Sequence, residues 1–390
     1  MKTRTRVNHP PQTSLAPGRR ALVAPIYQSV KFELEDLAET ERVWAGSAEG
    51  FHYSRHGNPT VHDLEILLAE LQGRDACVAV GSGVAAVAVT LLALLSQGDH
   101  ILCFIETYGP SRGLIVRTLA RFGIEHTMLS IDDRGAIERV LAERPTRLVW
   151  FESPTNPMLK IADIASLTTA AKRHGALTVL DNTFAGLEAH SGFPIDLFVH
   201  SLTKYASGHG DVMGGAVIGD EKLVHLIRSQ TTALGPTLDP HAAFLIQRGL
   251  KTYPLRRAAQ CAAAERIATF LAADKRVSRV HYPGLPSHAG HALAAAQLLD
   301  FGTIVTIDLT GTAEQSRVFA DSLELFSIAA SMGSGDSLIV PPQLQQPRGF
   351  SDEQRRLSGI TPTSSRLSIG LEDPEDLIAD LCAALDTAFC

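Results

Sequence analysis

The feature that most constrains this chain is a repeat of short apolar runs, each closed by a polar residue and followed by a helical pattern. Strand-like runs lie at 76–80, 100–105, 125–129, 147–151, 177–180 and 197–200. Helical patterns lie at 60–71, 84–95, 111–122 and 161–174. Strands that are apolar on both faces must be covered on both faces. The repeat therefore predicts an α/β fold, a mostly parallel central sheet flanked by helices. A run at 215–218 predicts one more strand. A single long helix is expected from about Pro240 through Leu250 to about Asp274. Beyond it, strands at 279–282 and 304–309 and a last helix at 376–389 predict a smaller α+β C-terminal domain.

Residues 1–58 lack periodicity and contain Pro10, Pro11, Pro17, Gly18 and Pro25. They read as an extended arm that needs a surface to lie on, such as another subunit. The expected division is an arm at 1–58, a ligand-binding domain at 59–250 and a C-terminal domain at 251–390. A chain of 390 residues is too long for one ordinary core.

Composition narrows the partners. A net charge of −7 argues against general nucleic-acid binding, although a local site can still hold an anion. The longest apolar stretch, 84–95, is too short to span a bilayer, so no membrane role is expected. Cys77, Cys103, Cys261, Cys382 and Cys390 are odd in number and lack metal-ligand spacing, which reads as a reducing, cytoplasmic location.

In open α/β sheets, ligands bind beyond the carboxyl ends of the strands. Gly81-Ser82-Gly83 follows one strand and opens a helix, where free amides suit a phosphate. Asp181 ends another strand. Lys204 follows a third, between hydroxyl residues and a flexible Ser-Gly-His-Gly segment. Taken singly, these read as a tight turn, a cap and a solvated lysine. Together on one sheet edge they fit pyridoxal 5'-phosphate. The aldehyde needs a lysine, the ring nitrogen a carboxylate and the phosphate N–H and O–H donors.

The most specific stretch is Ser-Leu-Thr-Lys-Tyr-Ala-Ser-Gly-His-Gly-Asp-Val at 201–212. It is joined by Tyr-Ser-Arg-His-Gly-Asn-Pro-Thr at 53–60, Glu-Ser-Pro-Thr-Asn-Pro at 152–157, Asp-Asn-Thr at 181–183 and Arg-Leu-Ser-Ile-Gly-Leu-Glu-Asp at 366–373. With these motifs the chain resembles the Cys/Met-metabolism family of pyridoxal-phosphate enzymes, from about Pro25 to Leu385. That family includes cystathionine γ-lyase, γ-synthase and β-lyase and methionine γ-lyase.

The resemblance implies a fold-type-I pyridoxal-phosphate enzyme and assigns roles. Lys204 would carry the Schiff base and shuttle protons, and Asp181 would pair with the ring nitrogen. The Gly83 and Val84 amides and the Ser201 and Thr203 hydroxyls would hold the phosphate. Tyr53 and Arg55 would reach a neighbouring subunit's phosphate, in an obligate dimer at least and a homotetramer by family habit. Tyr108 would stack on the ring and assist proton transfer. Asn156 and Arg366 would bind the substrate carboxylate, with Asn156 also near the ring oxygen. Ser331 would position Lys204 or the substrate.

Other features read as structural. His281, His288 and His291 are taken as an ordinary turn, with no metal. Trp44 and Trp150 read as packing residues, Glu106 as a loop anchor and Arg256-Arg257 as a solvated helix face.

The expected substrate is a small amino acid. Residues 331–337 read Ser-Met-Gly-Ser-Gly-Asp-Ser, and Met332 stands where enteric β-lyases carry tryptophan. Pro110 stands where methionine γ-lyases place a cysteine. Asp336 replaces a usual glutamate, and the run Val340-Pro341-Pro342-Gln343-Leu344-Gln345-Gln346 also departs from the family. Met332 favours γ-elimination, Pro110 also fits bacterial β-lyases, and the remaining departures surround the distal pocket and point to a substrate that differs from cystathionine. The alternatives are a γ-replacement transferase, a cystathionine β-lyase and a non-catalytic relic that binds cofactor.

Overall fold

The computed structural model describes residues 2–11, 21–48, 50–341, 344 and 349–390. Pro17 and Gly18 of the arm, and Pro342, Gln343, Gln345 and Gln346 of the departing run, lie outside the described residues.

Seven strands form the larger sheet: β1 (Ala76–Val80), β2 (His100–Phe104), β3 (Glu125–Leu129), β4 (Thr146–Glu152), β5 (Leu177–Asp181), β6 (Leu197–Ser201) and β7 (Gly215–Gly219). Their order is β1-β7-β6-β5-β4-β2-β3. Only β7 runs antiparallel to its neighbours. Alternate side chains point to opposite faces. Val149 and Phe151 therefore enter the core under one face, while Leu148 and Trp150 enter the core under the other. This two-sided burial is the reason the strands read as continuous apolar runs.

A second sheet contains β8 (Val277–His281), β9 (Ile304–Leu309), β10 (Ser327–Ile328), β11 (Leu338–Val340) and β12 (Ser364–Ser368), in the order β10-β11-β12-β9-β8. Its core is closed by the helices Tyr253–Ala273 and Pro374–Ala388. The α/β architecture with a smaller second sheet agrees with the sequence expectation.

Five local expectations need correction. The long helix is two, Pro240–Leu250 and Tyr253–Ala273. Pro254 has no N–H to give the Leu250 carbonyl, so a continuous helix loses that bond. The 111–122 pattern is also interrupted: a turn of α-helix at Gly109–Gly113 gives way to a π-turn at Leu114–Thr118 and a 3₁₀ turn at Leu119–Phe122. The arm carries short helices at Thr3–Arg6 and Leu37–Trp44, and Val7 is buried in the main core. Trp44 is 72% exposed rather than packed, its ring meeting that of His52 at 5.5 Å; Trp150 is fully buried.

Arg256 and Arg257 are buried, not solvated. Arg256 donates to the Tyr205 and Gly249 carbonyls at 3.0 and 2.9 Å. Arg257 binds both oxygens of Asp300 at 2.8 and 2.7 Å and lies 5.0 Å over the Tyr205 ring. The pair thus fastens the turn that follows Lys204 to the helix Tyr253–Ala273. Gly249 completes the fastening, since a Cβ there would stand 2.1 Å from the Ser207 carbonyl oxygen. Gly249→Ala is therefore expected to destabilise the protein by about 3 kcal/mol through overpacking against backbone. A fall in the urea unfolding midpoint checks it, and an unchanged midpoint would contradict the close approach.

Candidate active site

The parallel strands deliver their last residues to one edge. Glu152 ends β4, Asp181 ends β5 in register with it, and Ser201 ends β6. A cavity of about 720 Å³ opens over this edge. It is lined by Ser82, Gly83, Val84, Tyr108, Glu152, Asn156, Asp181, Ser201, Thr203, Lys204, Ser331 and Arg366, among others. Arg366 comes from β12 of the second sheet, so the two sheets share the cavity.

Lys204 points into this space, and its Nζ donates to Ser331 Oγ at 2.8 Å. Ser331 is held at φ 101, a left-handed conformation disfavoured for any residue with a Cβ. Its carbonyl is fixed by Arg366, whose Nη2 donates to it at 2.8 Å, while Nη1 donates to Asn156 Oδ1 at 2.9 Å. Arg366 Nε is buried without a partner among the described residues. Burial lowers the guanidinium pKa to about 10. Among the described residues no carboxylate neutralises Arg366, which makes it a seat for an incoming anion.

Burial, and then the Arg366 charge, lowers the Lys204 pKa. Neutral amine is thus available at lower pH than on a free lysine. Arg366→Gln removes one of the two causes and should move the pH limb for covalent capture of pyridoxal phosphate by the apoenzyme upward. Capture rates measured against pH check the shift; a limb that stays or moves down would refute it.

The floor of the cavity is acidic. Asp181 Oδ1 accepts from the Thr183 hydroxyl at 2.6 Å and the Thr183 amide at 3.1 Å. Burial still raises its pKa. Thr183 Oγ1 also accepts from the Ser201 amide at 2.9 Å, tying β5 to β6. Glu152 Oε1 accepts from the Tyr108 amide at 2.6 Å, and burial together with Asp181 pushes its pKa well up. Burial raises the Tyr108 phenol as well. Glu106 anchors the same loop from behind, accepting from Lys160 Nζ at 2.7 Å and the Ile131 amide at 3.1 Å. Glu152 and Thr183 stood in recognisable motifs, but only the fold shows which neighbours they touch.

At the other end of the cavity the helix Gly83–Leu94 begins. Ser82 caps it by accepting from the Ala85 amide, so the Gly83 and Val84 amides remain without acceptors among the described residues. A Cβ on Gly83 would meet Ser201 Cβ at 2.8 Å, which explains the glycine. Thr203 Oγ1 is turned toward Gly214, donating to its carbonyl at 3.3 Å and accepting from its amide at 3.1 Å.

Tyr53 and Arg55 are not in this cavity. Arg55 Nη1 donates to the Thr232 carbonyl at 2.9 Å, and both residues line a shallow hollow with Trp44, His52 and His56. The three histidines read as structural have other partners: His281 pairs with Asp308, His288 accepts from the Gly290 amide and His291 meets the Pro283 carbonyl.

The donors and acceptors fit pyridoxal phosphate. A helix N-terminus beside Ser201 with open amides suits the phosphate, a buried carboxylate with no cation beside it among the described residues suits a cationic ring nitrogen, and a lysine of lowered pKa suits an aldehyde. Site and fold together define a pyridoxal-phosphate-dependent α/β enzyme.

The comparisons narrow the class. The family model described as Cys/Met metabolism PLP-dependent enzyme matches residues 5–386, and the chain belongs to this family. The chain is 39% identical over 369 residues to an L-methionine γ-lyase of Pseudomonas putida, covering 94% of this chain and 92% of that protein. It is 37% identical over 369 residues to a cystathionine β-lyase of Lactococcus lactis, covering 94% of each. A crystal structure of cystathionine γ-synthase from Xanthomonas oryzae, in complex with aminoacrylate and cysteine, superposes with a TM-score of 0.93 at 35% identity, covering 100% of this chain and 99% of that one. The protein is accordingly an enzyme of Cys/Met metabolism, a lyase or a transferase. Among its described residues no helix is long and apolar enough to cross a membrane.

Proposed function

We propose that the enzyme catalyses γ-elimination on a sulfur-containing or similarly Cγ-substituted L-amino acid, in the manner of a cystathionine γ-lyase. The supporting observation is the wall beside Lys204. Met332 follows Ser331 there and is buried, and Pro110, Met213, Val340 and Leu344 line the same cavity. This apolar surface suits a thioether.

Bound pyridoxal phosphate supplies a sink for the electron pair left when the substrate loses its Cα proton. Arg366, with Asn156, holds the α-carboxylate and so fixes which bond at Cα faces Lys204. Lys204 Nζ would take the Cα proton, hand it on and so return to the neutral form, and then take one from Cβ; the Cγ–S bond breaks and the departing sulfur takes up a proton. Asp181 would keep the ring nitrogen protonated. Tyr108 would lie against the ring, and its phenol stays protonated at neutral pH because burial raises its pKa. Ser331 holds Lys204 Nζ in place between proton transfers. The Gly83 and Val84 amides and the Ser201 and Thr203 hydroxyls hold the phosphate.

With cystathionine and water the products are cysteine, 2-oxobutyrate and ammonia. Incubating purified enzyme with cystathionine and identifying the oxoacid tests this. Pyruvate with homocysteine would instead select β-elimination, and turnover that requires an added thiol would select γ-replacement.

Tyr53 and Arg55 serve a neighbouring subunit's phosphate in this reading, within a homotetramer built from dimers. Their place outside this chain's own cavity supports it. Mixing a Tyr53→Phe/Arg55→Ala subunit with a Lys204→Ala subunit should restore part of the activity, and verified heterodimers without recovery would refute it. The five cysteines carry no disulfide, which supports a cytoplasmic location.

A further inference from the structure

Four cationic side chains line the cavity among the described residues: Arg112, Arg117, Lys204 and Arg366. Three are committed. Lys204 meets Ser331, and Arg366 meets Asn156 and the Ser331 carbonyl. Arg112 donates to the Ile105 and Thr107 carbonyls at 2.9 and 2.6 Å and lies 4.4 Å over the Phe350 ring. Arg117 has no hydrogen-bond acceptor or acidic partner among the described residues.

The position of Arg117 follows from its neighbour in the turn. Helical side chains lean toward the N-terminus, so Arg117 lies over position 113, four residues earlier. That residue is glycine. A Cβ on Gly113 would stand 2.5 Å from Arg117 Nη2 and 3.2 Å from its Cζ, so any larger residue would push the guanidinium away from this place over the turn. There it lines the same cavity as Tyr108 and Pro110. The π-turn at Leu114–Thr118 lies between the two positions, and such turns often mark functional sites. Arg112 stands close enough for the two like charges to oppose each other. An anion bound there would relieve that repulsion.

We propose that Arg117, laid back over Gly113, binds an anionic group at the far end of the substrate's γ-substituent. The enzyme then prefers leaving groups that end in a carboxylate over uncharged thioethers. This rests on the γ-substituent reading above only for where that far end lies. A planar guanidinium with open donors matches a carboxylate in two parallel bonds, whereas an apolar wall alone would not discriminate charge.

The test uses two isosteric ligands of the holoenzyme, S-(2-carboxyethyl)-L-homocysteine and its carboxamide. Their affinities are read from the change in cofactor absorbance, so the ratio is obtained whether or not oxoacid is released. Wild type should bind the carboxylate at least about tenfold more tightly, in line with a hydrogen bond to a charged group. Arg117→Gln should bring the ratio to within about twofold of unity. Gly113→Ala, which leaves Arg117 in the chain but displaces its guanidinium, should also lower it. Equal affinities in wild type, or a carboxylate preference that survives in Arg117→Gln, would overturn the proposal. Release of 2-oxobutyrate is scored separately. Its absence alongside an Arg117-dependent preference would sink the reaction assigned above and leave this site standing.

Discussion

A Lys204→Ala variant is expected to lose at least about 1,000-fold in turnover, because one amine both anchors the cofactor and moves the protons. Two features of the site concentrate these tasks on Lys204. Its Nζ is the amine held by Ser331 at 2.8 Å, and burial, followed by the Arg366 charge, keeps its pKa down. The arginines that also line the cavity, Arg112, Arg117 and Arg366, cannot substitute, since a guanidinium stays protonated and makes no imine. The decisive measurement is borohydride reduction followed by mass analysis. Wild type should carry the pyridoxyl group on the peptide containing Lys204, and the variant should carry none. A variant that still fixed the group on another lysine, such as Lys160, would overturn the assignment.

Asp181→Asn should lower turnover by about 100-fold or more while leaving the cofactor covalently attached. Removal of a single preorganised electrostatic group from an active site costs this much in other enzymes. The physical reason lies in the strand register. β4 and β5 place Glu152 and Asp181 side by side at the floor of the cavity. Two buried acids side by side are unfavourable unless a positive group arrives or a proton is taken up. A protonated ring nitrogen is that positive group. Asparagine keeps the size of the side chain and removes the charge, so cofactor content should hold while kcat falls. A variant within about threefold of wild-type kcat would place the ring nitrogen's partner elsewhere. Burial and Asp181 push Glu152 far up, so it already holds a proton and does not offer a replacement charge.

Much of the fold was legible because sheet burial writes itself directly into the chain. Strands covered on both faces read as apolar runs, and all seven strands of the larger sheet fell within two residues of the expected spans. Glycine and polar punctuation marked the edge where Asp181, Ser201 and Lys204 meet. Smaller pieces were not legible. β10 has two residues and β11 three, too short for any periodic signal. The break between Leu250 and Tyr253 was masked because both helices share one apolar rhythm, and the missing Pro254 donor had to be weighed against it. Arg256 and Arg257 read as surface residues because lysine and arginine usually are. Their burial depends on Asp300 and the Tyr205 carbonyl, which lie more than 40 residues away in one direction and more than 50 in the other. Trp44 misled in the opposite sense: its apolar character says that it should be covered, and among the described residues it is 72% exposed.

The amino-acid sequence alone therefore determined the class of fold, the cofactor chemistry and the residues that meet on one sheet edge, because strand burial and strand-end chemistry are local in the chain. Tertiary structure decided what those residues face. It placed Arg366 from the second sheet against Asn156 and Ser331, set Glu152 beside Asp181, and folded Arg117 over Gly113. Such contacts depend on distance across elements rather than spacing along the chain, and charge acts through space. The pKa of Lys204 and the charge selectivity proposed for the far end of the cavity are thus properties of the packed molecule.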